Sequence, residues 1–249
     1  MTNLVRSELL KVRTTRGWYA YLAVVVLLTG LAVAGDVGSA EDARRSALDF
    51  QVGLVEAAGI AALLAIILGI TIVTTEFRHG TITPTLLSNP RRERVVAGKG
   101  IAAAAIATGF AILALAIVAG VALIWLSIVG ADIHLGDGDI GERAAQTVLL
   151  AVLWGLLGIA IGTLVQSQVA ALVGTLIWVF LVETLLIGIF GLVDVDGLAP
   201  YLPFQALDAA DGSGGPDLLS YWAGVGVSLA WIAGVGAAGV VRVMRRDIT

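Results

Sequence analysis

The sequence contains no cysteine, only two histidines and few charged residues. The absence of cysteine excludes disulfides, thiol catalysis and cysteine-ligated metals. The two histidines, His79 and His134, are too far apart in the sequence to suggest a metal site. Charged residues make up 14% of the 249 residues and hydrophobic residues 58%, whereas soluble domains carry about 25% charged residues. The composition therefore predicts a polytopic helical membrane protein.

Six apolar runs follow one another along the chain, and each is long enough to cross a hydrocarbon core, which takes roughly 20 residues. Backbone groups in lipid must be hydrogen-bonded within the protein, so we expect helices. The predicted fold class is an all-α integral membrane protein, a single domain of six transmembrane helices over residues 1–249. The predicted transmembrane helices occupy residues 18–35, 54–75, 101–130, 144–165, 169–193 and 219–241.

The first run follows a basic leader and contains Ala32-Val33-Ala34, a possible signal-peptidase site. Its apolar part is longer than the roughly 7–15 residues of a signal peptide, so we expect a retained helix. Residues 2–16 combine basic and apolar side chains and predict a short amphipathic helix in the membrane interface. Glu8 interrupts its apolar strip, and a solvated basic leader is the alternative interpretation.

The positive charges are distributed unequally between the predicted sides of the membrane. If the N-terminus is cytoplasmic, all but three of the 15 Lys and Arg lie inside, the exceptions being Arg44, Arg45 and Arg143. Lys and Arg favour the cytoplasmic side. We therefore predict that both termini are cytoplasmic.

The connections differ in length and character. Spans four and five are joined by a tight cytoplasmic hairpin at residues 166–168. The outer segment 194–217 has an apolar, aromatic half that we expect to dip into the outer leaflet, with an exposed loop as the alternative. Gly158 and Gly162 in the fourth span form a small-residue pattern that predicts close helix packing in lipid, without indicating the neighbouring helix.

No arrangement of residues suggests catalysis. A nucleotide-binding P-loop requires Gly-x-x-x-x-Gly-Lys followed by Ser or Thr, and Gly98-Lys99-Gly100 lacks both the hydroxyl residue and the glycine-rich approach. Paired carboxylates, Ser-His-Asp sets and metal-ligand clusters do not occur at useful spacing. The chain is therefore predicted not to be an enzyme, and to bind no cofactor or nucleic acid itself.

Three polar residues within the predicted spans are candidates for a membrane-embedded function. Glu183 lies near the middle of the fifth span, where an ionisable group is costly and usually faces a cavity or a partner. It could line a translocation path or contact a second subunit, or it could seal a helix contact as a protonated or hydrogen-bonded carboxyl. Thr71 and Thr75 could face a pore or bond back to their own helix.

The polar segment 76–99 separates the second and third apolar runs and carries a third of all Lys and Arg. Thr81 can cap a short helix after the break at Gly80. Asn89 and Pro90 form a good second helix start. The segment therefore predicts a short surface helix followed by a basic turn, although a plain positively charged inside loop is the simpler alternative.

This segment resembles the one between spans two and three of ABC type-2 exporter permeases. In that family an acidic residue, a Gly-Thr pair, a Pro followed closely by Arg, and a Lys leading into span three recur. The matching residues here are Glu76, Gly80, Thr81, Pro90, Arg91 and Lys99. In addition, residues 8–13 resemble the family's amphipathic elbow helix, and residues 202–207 resemble the segment before its last span.

The resemblance implies a permease that pairs with a second permease, as a homodimer in our expectation, and with two ATP-binding subunits. Those subunits would bind ATP and Mg, and the permease would contact membrane lipid in a prokaryotic plasma membrane. Segment 76–99 would form the coupling helix that docks on the ATPase. The residues expected to couple are Glu76, Arg78, Gly80, Thr81, Pro90, Arg91, Arg92 and Lys99.

Two other functions are alternatives, and hydrophobic spans with basic loops alone would fit the first of them. A membrane anchor or scaffold could recruit cytoplasmic partners without transport. An intramembrane enzyme is disfavoured because Glu183 has no second catalytic group at similar depth. The transported substrate is not indicated by the sequence, although the low charge of the spans favours an apolar or amphipathic cargo.

Overall fold

The computed structural model describes residues 2–14, 17–81, 92–134, 138–212, 214–215 and 217–245. Within these residues the protein is helical and contains no strand. Short 3₁₀ segments cover Leu54–Gly59 and Asp196–Tyr201, and a π-helical segment covers Trp178–Glu183. The α-helices are α1 (Thr2–Thr14), α2 (Gly17–Ser39), α3 (Asp42–Arg45), α4 (Leu48–Gly53), α5 (Ile60–Arg78), α6 (Arg92–Val129), α7 (Gly138–Val165), α8 (Gln168–Ile177), α9 (Thr184–Leu192), α10 (Pro203–Ala209) and α11 (Tyr221–Met244).

Six helical stretches of the described chain are long and apolar enough to cross a membrane. The prediction of an all-α membrane protein with six transmembrane helices is therefore confirmed. The second stretch starts at residue 48 rather than 54, because α4 and the 3₁₀ segment run into α5. The stretches are Gly17–Ser39, Leu48–Arg78, Glu93–Val129, Asp139–Val165, Gln168–Leu192 and Tyr221–Met244.

Helices α5 and α7 form the centre of the bundle. In the most apolar part of each, 61% and 56% of residues are buried, against 6% for the stretch Gln168–Leu192. The two helices approach closely where glycines meet backbone: a Cβ at residue 158 would lie 2.3 Å from the Ile66 carbonyl oxygen. A Cβ at residue 162 would lie 3.0 Å from the Ile70 carbonyl oxygen. Small residues permit such approach between helices in lipid, and the neighbour of Gly158 and Gly162 is α5.

The hairpin between α7 and α8 is as short as its sequence suggests. Gln166 has a left-handed backbone (φ 62°), and Ser167 is extended before α8 begins at Gln168.

The π-helical segment further along this span has no counterpart in the sequence-based prediction. No proline or glycine lies within residues 178–183 to mark a departure from α-helix.

The segment after the fifth span folds back onto the bundle. Helix α10 packs against α11 and α7, and it buries Phe204, Ala206 and Leu207. The Phe204 ring lies edge-on to Trp154 of α7, with the ring centroids 5.5 Å apart. Arg143 fastens the following turn, because its guanidinium donates to the backbone carbonyl and, at 3.0 Å, to the carboxylate of Asp211. The entry of residues 194–217 into the outer leaflet stays a prediction.

Candidate functional site

Four charged side chains meet where α5 ends and α6 begins, and we call them the ion cluster: Glu8, Lys11, Glu76 and Lys99. The Lys99 ammonium lies 2.8 Å from Oε2 of Glu8 and 2.7 Å from Oε1 of Glu76. The Lys11 ammonium lies 2.8 Å from Oε1 of Glu8 and 2.7 Å from Oε1 of Glu76. The ion cluster therefore connects α1, α5 and α6 through four ion pairs.

Three of these charges are almost completely removed from solvent. Lys99 is 1% exposed, Glu8 3% and Glu76 6%, whereas 48% of the Lys11 side chain is exposed. Buried ions are costly unless each has a partner of opposite charge and good geometry. Two ammonium groups and two carboxylates satisfy that requirement, so the ion cluster is electrically neutral.

Two opposing effects act on the pKa of Lys11. Partial desolvation lowers the pKa of its ammonium, but hydrogen bonds to Glu76 and Glu8, together with the charges of both carboxylates, leave that pKa above its ordinary value. Lys11 therefore stays protonated over the physiological range. Its charge is permanently available to the two carboxylates and, through its exposed half, to solvent.

Apolar contacts hold α1 in the position that the ion cluster needs. A Cβ at residue 98 would lie 1.9 Å from the tip of the Leu4 side chain, so glycine lets α1 approach α6 closely. Leu4 and Phe77 also pack against buried Val95 and Val243. The apolar residues of α1 thus face the bundle, and Glu8 points in the same direction because it lies one helical turn from Leu4.

The structure brings together two of the predicted coupling residues, Glu76 and Lys99. Arg78 ends α5 and is exposed, as is Thr81, and Gly80 has a left-handed backbone (φ +69°) that ends the helix. These three lie outside the ion cluster. Pro90 and Arg91, like the expected surface helix, lie outside the described residues, and Arg92 is described only as the first residue of α6.

Sequence reasoning missed Glu8 and Lys11 as members of this site. In the sequence, Glu8 interrupts the apolar strip on α1, and the resemblance of residues 8–13 to the family's elbow helix gives neither Glu8 nor Lys11 a role of its own. An acidic residue on the apolar face of a short helix, with a lysine three residues later, is a signal for a buried ion pair. Its partner Lys99 is 91 residues away, and this pairing is not predictable from one sequence.

A groove of about 260 Å³ adjoins the ion cluster between α1, α2 and α5. Thr71 and Thr75 both line it. The Thr71 hydroxyl donates to the Ile67 carbonyl at 2.7 Å, so Thr71 bonds back to its own helix. It also lies 3.4 Å from the Tyr21 hydroxyl, which connects α5 to α2.

Glu183 is 2% exposed and accepts hydrogen bonds from within the chain. The Phe204 amide at the start of α10 donates to its Oε1 at 2.9 Å, and the Trp178 indole donates at 3.2 Å. In a regular α-helix, residues five apart point about 140° away from each other, and the π-helical segment turns Trp178 and Glu183 towards the same side. Glu183 therefore fastens the N-terminus of α10, and its assignment to a translocation path or dimer contact stays a prediction.

No group of three or more potential metal-binding side chains occurs among the residues whose placement is described. The chain matches the family model described as "ABC-2 family transporter protein" over residues 2–248. No curated protein matches the chain.

Proposed function

Because this chain belongs to the ABC-2 family of transporter proteins, we propose that it is the membrane-spanning permease subunit of an ATP-driven exporter. Members of the family are multi-pass membrane transport components, and the family in general implies an ATP-binding partner subunit. We further propose two copies of that partner, which would hold the ATP and Mg, a second copy of this chain, and a prokaryotic plasma membrane as the location.

The ion cluster is the observation that carries the coupling part of this proposal. Residues 79–91 lie between α5 and α6, so a force applied to them reaches the last turn of α5 and the first turns of α6. Glu76 and Lys99 lie in these turns and form a 2.7 Å ion pair. ATPase movement against this segment would therefore displace α5 and α6 together rather than one helix at a time.

The same ion cluster would extend the movement to α1 and to the centre of the bundle. Glu8 binds Lys99 and Lys11 binds Glu76, so α1 follows the two longer helices. Helix α5 packs so closely against α7 that a Cβ added at Gly69 or Gly158 would overlap the backbone of the other helix. Tightly packed interfaces shift between discrete arrangements rather than deform gradually, which suits a rocking movement of the membrane half.

The second permease copy would pack on the fifth span. This stretch, Gln168–Leu192, is the least buried of the six and presents large apolar side chains outward, among them Phe180 and Leu185. Such a face needs lipid or another helix against it. A homodimer would place two of these faces against each other around the twofold axis.

The proposal is tested by reversing charge in the segment that would dock on the ATPase. We expect Arg91→Glu with Arg92→Glu to insert normally but to lose permease-stimulated ATP hydrolysis, because the basic surface facing the ATPase is inverted. The measurement is ATPase rate in proteoliposomes that contain permease and partner. A matched control is Arg245→Glu with Arg246→Glu, which makes the same charge change at the C-terminal end.

Normal stimulation by the Arg91 and Arg92 variant would remove the coupling role from residues 76–99. Loss of stimulation in both double variants would indicate a general charge effect, and it would also contradict the proposal. A scaffold without transport would show no permease-dependent ATP hydrolysis in the wild-type protein.

A further inference from the structure

The groove beside the ion cluster has a polar end and an apolar end. Its polar end is formed by Glu8, Lys11 and Glu76, and its walls by side chains of α2 and α5. Gly17 at the start of α2 lies on its edge, where a Cβ would meet no atom within 4 Å. The groove is therefore an open, amphipathic space on the side of the bundle.

The polar end has two binding capacities that the protein itself does not use completely. Nearly half of the Lys11 side chain is exposed, and its ammonium makes two hydrogen bonds, to Glu8 and Glu76, so one of its three N–H groups is left to bind an anion. Oε2 of Glu76 is buried and accepts no hydrogen bond from any described residue. A buried carboxylate oxygen without a donor is unfavourable, so a ligand that carries both an anionic group and a hydrogen-bond donor would complement this end.

The apolar end has the dimensions and residue types of a lipid-facing site. Leu68 and Ile72 form the deeper wall, and Trp18 forms the outer one. Leu68 lies eight residues before Glu76 on the same helix, which corresponds to about 12 Å along its axis. Tryptophan is typical of the level where headgroups meet acyl chains.

We propose that this groove binds a phospholipid whose headgroup carries a hydrogen-bond donor next to its phosphate, such as phosphatidylethanolamine or phosphatidylglycerol. The phosphate lies against the Lys11 ammonium, the headgroup donor reaches Oε2 of Glu76, and one acyl chain lies along Trp18, Leu68 and Ile72. This assignment rests on the proposed function, together with the prediction from the sequence that α1 lies in the membrane interface on the cytoplasmic side.

Bound lipid would strengthen the connection between α1 and α5. Phosphate and carboxylate would share the Lys11 ammonium, and the donor would complete the hydrogen bonding of Glu76. The ion cluster would then depend on the composition of the surrounding leaflet. Phosphatidylcholine carries the same phosphate, but its headgroup has no donor, so it would occupy the groove more weakly.

The test is native mass spectrometry of the delipidated full chain after incubation with each of the three lipids. We expect phosphatidylethanolamine and phosphatidylglycerol to be retained about fivefold more than phosphatidylcholine, the effect of one added hydrogen bond. Lys11→Gln should reduce retention, and so should Gly17→Phe, which places a ring at the edge of the groove, where an added Cβ meets no other atom within 4 Å. Lys11→Arg should keep retention at the wild-type level.

The matched control is Arg13→Gln, because it removes the same charge from the same helix at an exposed position that does not line the groove. Equal retention of all three lipids, or equal retention by Lys11→Gln, Gly17→Phe and Arg13→Gln, would overturn the proposal. The measurement needs no ATPase. Failure of lipid binding in a chain that still stimulates its ATPase would therefore overturn the lipid site alone.

Discussion

Lys99 is the residue on which the described site depends most. It is 1% exposed, and its ammonium contacts one carboxylate on α1 and another on α5. A lysine this deeply buried is rare unless it is paired. An apolar residue in place of Lys99 would fill the same space, but the carboxylates of Glu8 and Glu76 would then have Lys11 as their one positive partner in the ion cluster.

We predict that Lys99→Met lowers the free energy of unfolding by about 3–5 kcal/mol, the usual cost of breaking a buried ion pair from one side. Thermal unfolding of the purified protein in mild detergent measures the change. Arg94→Met removes a positive charge from an exposed position on the same helix, and we expect little effect from it. Similar melting temperatures for the two variants would show that the ion cluster contributes nothing to stability.

Asp208 on α10 gives a pH-dependent prediction. Desolvation, followed by the charges of Glu183 and Asp211, raises its pKa from 3.8 to about 6. A raised carboxyl pKa favours the folded state while the group is protonated, so this stability is present below about pH 4 and is lost as the pH rises through about 6.

Asp208→Asn should therefore raise the melting temperature at pH 7.5 and change it little at pH 4. More than a third of Asp208 is exposed. Solvent screening should therefore keep the increase in the free energy of unfolding under about 1 kcal/mol. Differential scanning fluorimetry at both pH values measures it. The exposed Asp217→Asn serves as control, and an equal gain by both variants at both pH values would contradict the assignment.

At the scale of elements, the glycines of the fourth span lie where α7 contacts α5, and they allow the two backbones to approach closely. Gly158 on α7 lies against the backbone of Ile66, and Gly69 on α5 lies against that of Gly155. Without a hydrophobic driving force between helices in lipid, this close van der Waals packing supplies much of the association energy.

Gly158→Ala should destabilise the protein by about 1–3 kcal/mol, since the added methyl group forces the two helices apart. Gly109→Ala on α6 is the matched control: its Cβ would meet no atom within 4 Å, and alanine is the better helix former. Unfolding in detergent or bicelles would compare them. A Gly158→Ala protein as stable as the Gly109→Ala protein would show that the contact is looser than described.

The elements differ in how well the sequence predicts them. The six spans were predictable because apolar length alone determines whether a helix can cross a membrane. The π-helical segment at Trp178–Glu183 was not, because its stabilising partner, the amide of Phe204, lies in a separate element. The pairing of Glu8 with Lys99 was hidden for the same reason: contacts between α1 and α6 join distant parts of the chain.

Parts of the site were nevertheless visible in the sequence. Glu76 and Lys99 stood out because they flank the polar segment between two apolar runs. The family resemblance gave them a role, but it did not indicate that they contact each other. Their 2.7 Å distance and the participation of α1 required the three-dimensional arrangement.

At the scale of the whole molecule, ion pairs with a buried member hold the helices together in two separate places among the described residues. The ion cluster connects α1, α5 and α6. Near the start of α7, Arg143 binds Asp211, from the turn that follows α10, and Glu56 at 3.3 Å. Arg143 was one of three positive charges on the predicted outer side, and its burial gives it a structural reason to be there.

The central claim is that this chain transmits ATPase movement through the ion cluster and the adjoining segment. Its most direct test is co-purification from the native host in mild detergent, with mass spectrometry of whatever accompanies the tagged chain. We predict a stoichiometric ATPase that carries a nucleotide-binding P-loop and that is lost from the Arg91→Glu, Arg92→Glu variant. A folded preparation that retains six-helix stability but brings no ATPase would contradict the account.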